Sequence, residues 1–132
     1  MYKVMEIIDG IATRIVKLEN IDNGHIEECF DDSALISDDN FDFMVKGLKY
    51  DCKIKLFGEP AFESTKESID CKIISYNLKV GKVFMVEVES DNNKYYVSQE
   101  KVVKYLKCDS FKFCYTRKDL IQVDEVVHPD LM

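Results

Sequence analysis

Tryptophan is absent from this chain, and only two prolines, two histidines and five glycines occur among its 132 residues. So little proline and glycine excludes collagen-like and low-complexity chains. The two histidines, His25 and His128, leave little room for Ser-His-Asp or Cys-His chemistry. His128 lies close to the C-terminal end, where chains tend to fray. His25 stands four residues before Cys29 in a strand-like run, so the two share a face without touching. The plain reading is a surface histidine beside a core cysteine.

Other signatures are missing. No CxxC pair exists, which excludes zinc-ribbon and thioredoxin-like motifs. Neither GxxxxGK[ST] nor GxGxxG occurs, so the common nucleotide-phosphate loops are absent. No apolar run approaches the roughly 18 residues a membrane-spanning helix needs. The opening MYKVMEIIDG carries Lys3, Glu6 and Asp9, which predicts no secretory leader. No repeat and no Gly-, Ser- or Pro-rich linker divides the chain, so a single domain over 1–132 is expected. An odd count of five cysteines fits a reducing compartment better than a disulfide framework, and a cytoplasmic location is expected. Cys52, Cys71 and Cys114 alternate with polar neighbours and read as small buried hydrophobes.

What is present is period-two patterning. Apolar runs over Tyr2–Ile8 and Ile11–Leu18 flank Asp9-Gly10, a hairpin signal, because both residues tolerate positive φ. Asn23-Gly24 leads into a weaker strand from His25 to Phe30. Asp31 or Asp32 is placed to cap a short helix over Ser33–Ile36. Phe41, Phe43 and Met44 are expected to return apolar mass to the core. Tyr50–Phe57 is the cleanest strand, with Tyr50, Cys52, Ile54 and Leu56 on one face. Gly58-Glu59-Pro60 is expected to end it, followed by a polar loop to about Glu67. Strands are expected over Ile69–Tyr76, Lys82–Glu89 and Lys94–Val97, with turns at Val80-Gly81 and Asp91-Asn92-Asn93. Gln99–Lys107 is read as a helix with Val102, Val103 and Leu106 as its apolar stripe. Phe111–Tyr115 and Leu120–Val123 close the list. Many short antiparallel strands and one or two short helices predict a mainly β fold, a small antiparallel barrel or sandwich, OB-like or SH3-like.

Charge is unevenly placed. The formal net charge is −7, which disfavours a nucleic-acid partner at long range. Between Leu18 and Val45 no lysine or arginine occurs, against nine acidic residues. From Lys94 to Lys118, seven basic residues stand against two acidic ones. The first segment predicts an acidic face of Glu27, Glu28, Asp31, Asp32, Asp38, Asp39 and Asp42, suited to a protein partner with a basic surface. The second offers an alternative, a strip of Lys94, Tyr96, Lys101, Lys104, Tyr105, Lys107 and Lys112 for single-stranded nucleic acid. The adjacent pairs Glu27-Glu28, Asp31-Asp32 and Asp38-Asp39 are read as solvated rather than as an acid-base set. Asp38, Asn40 and Asp42 have the first three spacings of an EF-hand loop, but Phe43 and Lys49 stand where glycine and a bidentate glutamate belong. No catalytic residue, metal ligand or cofactor is assigned. The expected function is non-enzymatic protein binding of the inhibitor or immunity type, similar only in composition to small cytosolic immunity proteins and phage-encoded inhibitors.

Overall fold

A computed structural model describes residues 1–61 and 68–132. The polar loop expected up to Glu67 falls largely on 62–67, outside the described residues. The protein is mainly β, with five of its strands closed into a small barrel. The strands are β1 (Tyr2–Asp9), β2 (Arg14–Asn20), β3 (Ile26–Asp31), β4 (Lys49–Tyr50), β5 (Cys52–Ala61), β6 (Ser68–Val80), β7 (Val83–Ser90), β8 (Asn93–Ser98), β9 (Ser110–Val123) and β10 (Val126–Val127).

The barrel ring runs β5-β9-β6-β7-β8 and returns to β5 through one parallel contact, Lys55 opposite Tyr96. The meander β1-β2-β3, with β4 on its outer edge, joins the ring through a parallel contact of Phe30 with Asp119. β9 therefore belongs to the ring and also meets the meander: its first half pairs with β6, and Asp119 in its second half meets β3. One continuous core spans both parts, from Tyr2, Val4, Val16 and Leu18 to Ile54, Val86, Val97 and Phe113. Burying such side chains contributes about 1.5–3 kcal/mol each.

The turns follow the sequence signals. Asp91 and Asn92 both take positive φ, as a tight hairpin requires. Gly81 turns β6 into β7 at φ +61, and a Cβ there would stand 2.4 Å from the Leu131 carbonyl oxygen. Gly58 sits at a register shift in β5, where a Cβ would collide with the Cys114 carbonyl.

Several expectations need correction. β5 does not end at Gly58-Glu59-Pro60: it continues to Ala61, with Pro60 opposite Phe113. Its ladder pairing with β8 is limited to Lys55, and beyond it β5 has no ladder partner on that side among the described residues, so a missing donor is tolerated there. Gln99–Lys107 is not a helix but two separate 3-10 turns, Gln99–Lys101 and Val103–Tyr105. Val102 is buried between them while Val103 is exposed, so three-residue spacing replaces the expected stripe. Ile11 lies at the tip of the first hairpin, fully exposed, and β2 begins only at Arg14. Phe111–Tyr115 and Leu120–Val123 are one fourteen-residue strand. Cys52 and Cys71 are buried, as expected; Cys114 is half-buried. Among the described residues, no helix is long and apolar enough to cross a membrane.

Candidate functional site

The segment from Asp32 to Leu48 connects β3 to β4 and carries three exposed acidic residues, Asp38, Asp39 and Asp42, with one exposed lysine, Lys46. Its placement starts with β3. Alternation along the strand turns Glu27, Cys29 and Asp31 inward and Ile26, Glu28 and Phe30 outward. Glu27 and Asp31 thus occupy core positions, opposite Leu18 and Arg14. Glu27-Glu28 is split, one carboxylate in and one out, and buried Asp31 is followed by half-buried Asp32, so neither pair is solvated as a unit.

Asp31 anchors the loop. Its Oδ1 accepts from the Ser33 N–H (2.9 Å) and the Ser33 hydroxyl (2.6 Å). Its Oδ2 accepts from Arg14 Nε at 2.7 Å. The Arg14 guanidinium also donates to the Phe41 carbonyl. The Ser33 hydroxyl in turn accepts from the Phe41 N–H at 3.1 Å. A short 3-10 turn over Ser33–Leu35 takes the place of the expected helix. Phe41 and Met44 are buried, while the Val45 N–H donates to the Tyr50 hydroxyl (2.9 Å). Two backbone bonds to Val4, from Gly47 (2.8 Å) and to the Leu48 carbonyl (3.0 Å), fasten the far end. His128 supports the near end: its Nε2 lies 2.6 Å from Asp32 Oδ1 and its ring meets Phe41 edge-on at 6.0 Å. Such a loop, fixed by internal side chains, is an Ω-type element, a frequent carrier of function.

On this fixed frame, apolar and acidic groups face outward together. Leu35, Ile36, Phe43, Val45 and Leu48 keep 43–59% of their surface exposed. Phe43 therefore does not return to the core with Phe41 and Met44. Asp38 and Asp39 are exposed and have no cation partner among the described residues. Asp42 is also exposed, with Arg14 at 3.9 Å. The Asn40 side chain bonds the Ser37 carbonyl and the Asp42 N–H, so it shapes the loop instead of facing an ion.

The expected acidic face is accordingly divided. Asp38, Asp39 and Asp42 remain on it with Glu28, which lies 3.5 Å from Lys17. Asp32 is half-buried against His128. Asp31 is committed to the anchor. Glu27 has no exposed surface: its Oε1 meets Lys118 Nζ (2.5 Å) and His25 Nε2 (3.0 Å). Its Oε2 is buried without a hydrogen-bond partner among the described residues. Burial and the negative charge of Glu27 push the neighbouring Tyr95 hydroxyl well above its ordinary pKa. Lys118 Nζ also stands 5.1 Å and 5.3 Å from the Tyr95 and Tyr115 ring centres, a cation–π arrangement. This cluster ties β3 to β8 and β9.

The alternative strip does not assemble. Tyr96 is buried and donates its hydroxyl to Glu87 (2.9 Å), and burial raises its pKa. Tyr105 packs half-buried on Phe111. Lys101 pairs with Glu59, and Lys112 with Asp70 at 2.9 Å. Lys94, Lys104 and Lys107 are exposed, and Lys94 lines one cleft with Tyr96.

Sequence reasoning missed the exposed apolar residues of the loop and its anchors Arg14, Ser33 and His128. One signal was available: Leu35 to Leu48 shows neither strand nor helix spacing, so its large side chains cannot all face one core. No family model matches the chain, and neither a curated protein nor a solved structure does.

Proposed function

We propose that this protein is a non-enzymatic protein-binding module, of the inhibitor or immunity type, that docks a partner with a basic rim around an apolar patch. One observation carries the reading: five large apolar side chains and the unpartnered carboxylates of Asp38 and Asp39 stand exposed on a loop held by buried anchors. Apolar anchors supply most of the affinity at an interface, and rim charges speed encounter and reject wrong partners. A preorganised loop loses little entropy on binding. The barrel serves as the scaffold. Its five-stranded closure suits the small barrel expected, OB-like or SH3-like.

The test is affinity capture from the source cell with the wild type, a Phe43→Ser variant and an Asp38→Lys/Asp39→Lys variant. The expected result is a protein retained by the wild type and lost by both variants, with unchanged melting temperatures. Equal retention by all three overturns the reading.

A further inference from the structure

We propose that His128 and Asp130 form a binding site for a divalent transition-metal ion, with the Asp32 carboxylate orienting the imidazole. The proposal is independent of the docking loop's partner.

His128 precedes a 3-10 turn, Pro129–Leu131, and its side chain is 8% exposed. Two contacts define its hydrogen positions. The Asp130 N–H donates to Nδ1 at 3.1 Å, so Nδ1 carries a lone pair. The proton then sits on Nε2, which donates to Asp32 Oδ1 at 2.6 Å. A carboxylate on one ring nitrogen with a lone pair on the other is the arrangement that orients metal-binding histidines. The lone pair has a second ligand within reach: Nδ1 and Asp130 Oδ2 are 4.0 Å apart. Metal–nitrogen and metal–oxygen bonds of about 2.0–2.2 Å at a tetrahedral angle need the two atoms about 3.4 Å apart, which a small rotation of the exposed Asp130 side chain supplies. One ligand atom from each of Asp32, His128 and Asp130 lies within 4.8 Å of the others.

The surroundings leave room for the ion and its waters. The three residues line one cleft of about 200 Å³, which Asp119, Lys55 and Arg117 also face. Arg117 is forked onto Asp119 at 2.5 Å and 3.2 Å, so its charge is already matched there. Lys55 stands 5.9 Å from the Phe57 ring centre. Asp32 and Asp130 then outnumber the one cation left uncompensated by a carboxylate. An entering ion displaces only the 3.1 Å Asp130 N–H contact, and that exposed turn can offer its amide to water. No proton leaves Nε2. An imidazole nitrogen with a carboxylate oxygen suits zinc, manganese or cobalt better than calcium or magnesium, which favour oxygen ligands.

The experiment uses the full chain, freed of metal and carrying Cys108→Ser so that the exposed thiol takes no ion. Zn²⁺ and Mn²⁺ are titrated by calorimetry and by thermal melting, and the histidine ring nitrogens are followed by NMR. The expected results are a melting temperature raised by about 5 °C at ten times Kd and a Zn²⁺-induced shift at His128 Nδ1. Asp130→Asn, an exposed position, is expected to weaken binding at least tenfold without changing the metal-free melting temperature. Asp32→Asn is expected to weaken it by about 10- to 100-fold. Asp38→Asn is expected to leave it unchanged. Absence of binding below 1 mM for both ions, equal affinity in Asp130→Asn, or a shift confined to His25 overturns the proposal.

Discussion

The acidic segment from Glu19 to Asp42 and the basic segment from Lys94 to Lys118 are mirror images in sequence and are used differently in space. The basic segment spends much of its charge on distant partners: Lys101 on Glu59, Lys112 on Asp70 and Lys118 on Glu27. The acidic segment divides its charge by strand parity. Its inward carboxylates, Glu27 and Asp31, hold the fold, and its loop carboxylates, Asp38 and Asp39, face water. The two segments interlock at Glu27–Lys118 and otherwise stay separate among the ion pairs described. A run of like charge is therefore not one functional unit. Burial decides which members stabilise the fold and which remain free for a partner.

The sharpest way to break this comparison is to remove the buried link. Glu27→Ala leaves Lys118 part-buried, 14% exposed in its side chain, with no carboxylate on it. Losing one partner of a buried pair typically costs about 3–5 kcal/mol, so urea denaturation should show a loss of that size. A loss below about 1 kcal/mol would mean that Lys118 simply swings into solvent and that the interlock contributes little.

A second, smaller effect separates the anchor from the surface it displays. Ser33→Ala removes a hydroxyl that donates to buried Asp31 and accepts from the Phe41 N–H. Leaving those groups unpaired is expected to cost about 1–3 kcal/mol. Limited proteolysis should then cut first between Leu35 and Leu48. Unchanged cleavage there would show that the remaining anchors, Arg14, Val4, Tyr50 and His128, hold the loop without the Ser33 hydroxyl.

The segments also differ in which buried groups titrate. Tyr95 and Tyr96 of the basic segment are held protonated by burial and by neighbouring carboxylates. Burial lifts Cys29 of the acidic segment, and it lifts the Cys52 and Cys71 thiols from 9.0 up to about 12. All of these groups bind their proton more tightly folded than unfolded. Their contribution is complete below pH 9, where unfolded thiols begin to ionise, and is lost as the pH climbs towards 12. Thermal melts from pH 7 to 11 should show a constant midpoint up to about pH 9 and a steady fall beyond it. A midpoint still flat at pH 10.5 would contradict this ordering.

Most of the strands were legible because local signals agreed: Asp9-Gly10, Asn23-Gly24, Val80-Gly81 and Asp91-Asn92 each fall at a chain reversal. β9 was not, because Arg117, Lys118 and Asp119 look like a loop until their partners across the sheets are known. The parallel contacts of β5 with β8 and of β3 with β9 join residues far apart in sequence and leave no local trace. Half of the candidate site was readable. Asp38 and Asp39, placed on an acidic face from the run of charge, are exposed. Glu27 and Asp31 were misplaced, although Cys29 between them, if taken as buried, requires both to point inward by strand alternation. Charge outweighed periodicity in that reading, and periodicity was the better guide.

The smallest expected effect on stability tests that division most directly. Asp38 and Asp39 are exposed, lie outside every described salt bridge and bond only through the Asp39 backbone N–H to Ser37 Oγ, at 3.1 Å. Reversing both to lysine touches no buried group, and surface changes of this kind usually stay within about 0.5 kcal/mol. Exchanging two neighbouring carboxylates for lysines relieves their mutual repulsion, so the change should be neutral or slightly stabilising, and more so at low salt. Urea denaturation at low and high ionic strength measures both the size and the sign. A loss comparable with that of Glu27→Ala would place Asp38 and Asp39 among the structural carboxylates and remove the free acidic rim on which the docking proposal rests. A neutral result, with partner capture abolished, would assign stability and recognition to different carboxylates of the same acidic segment.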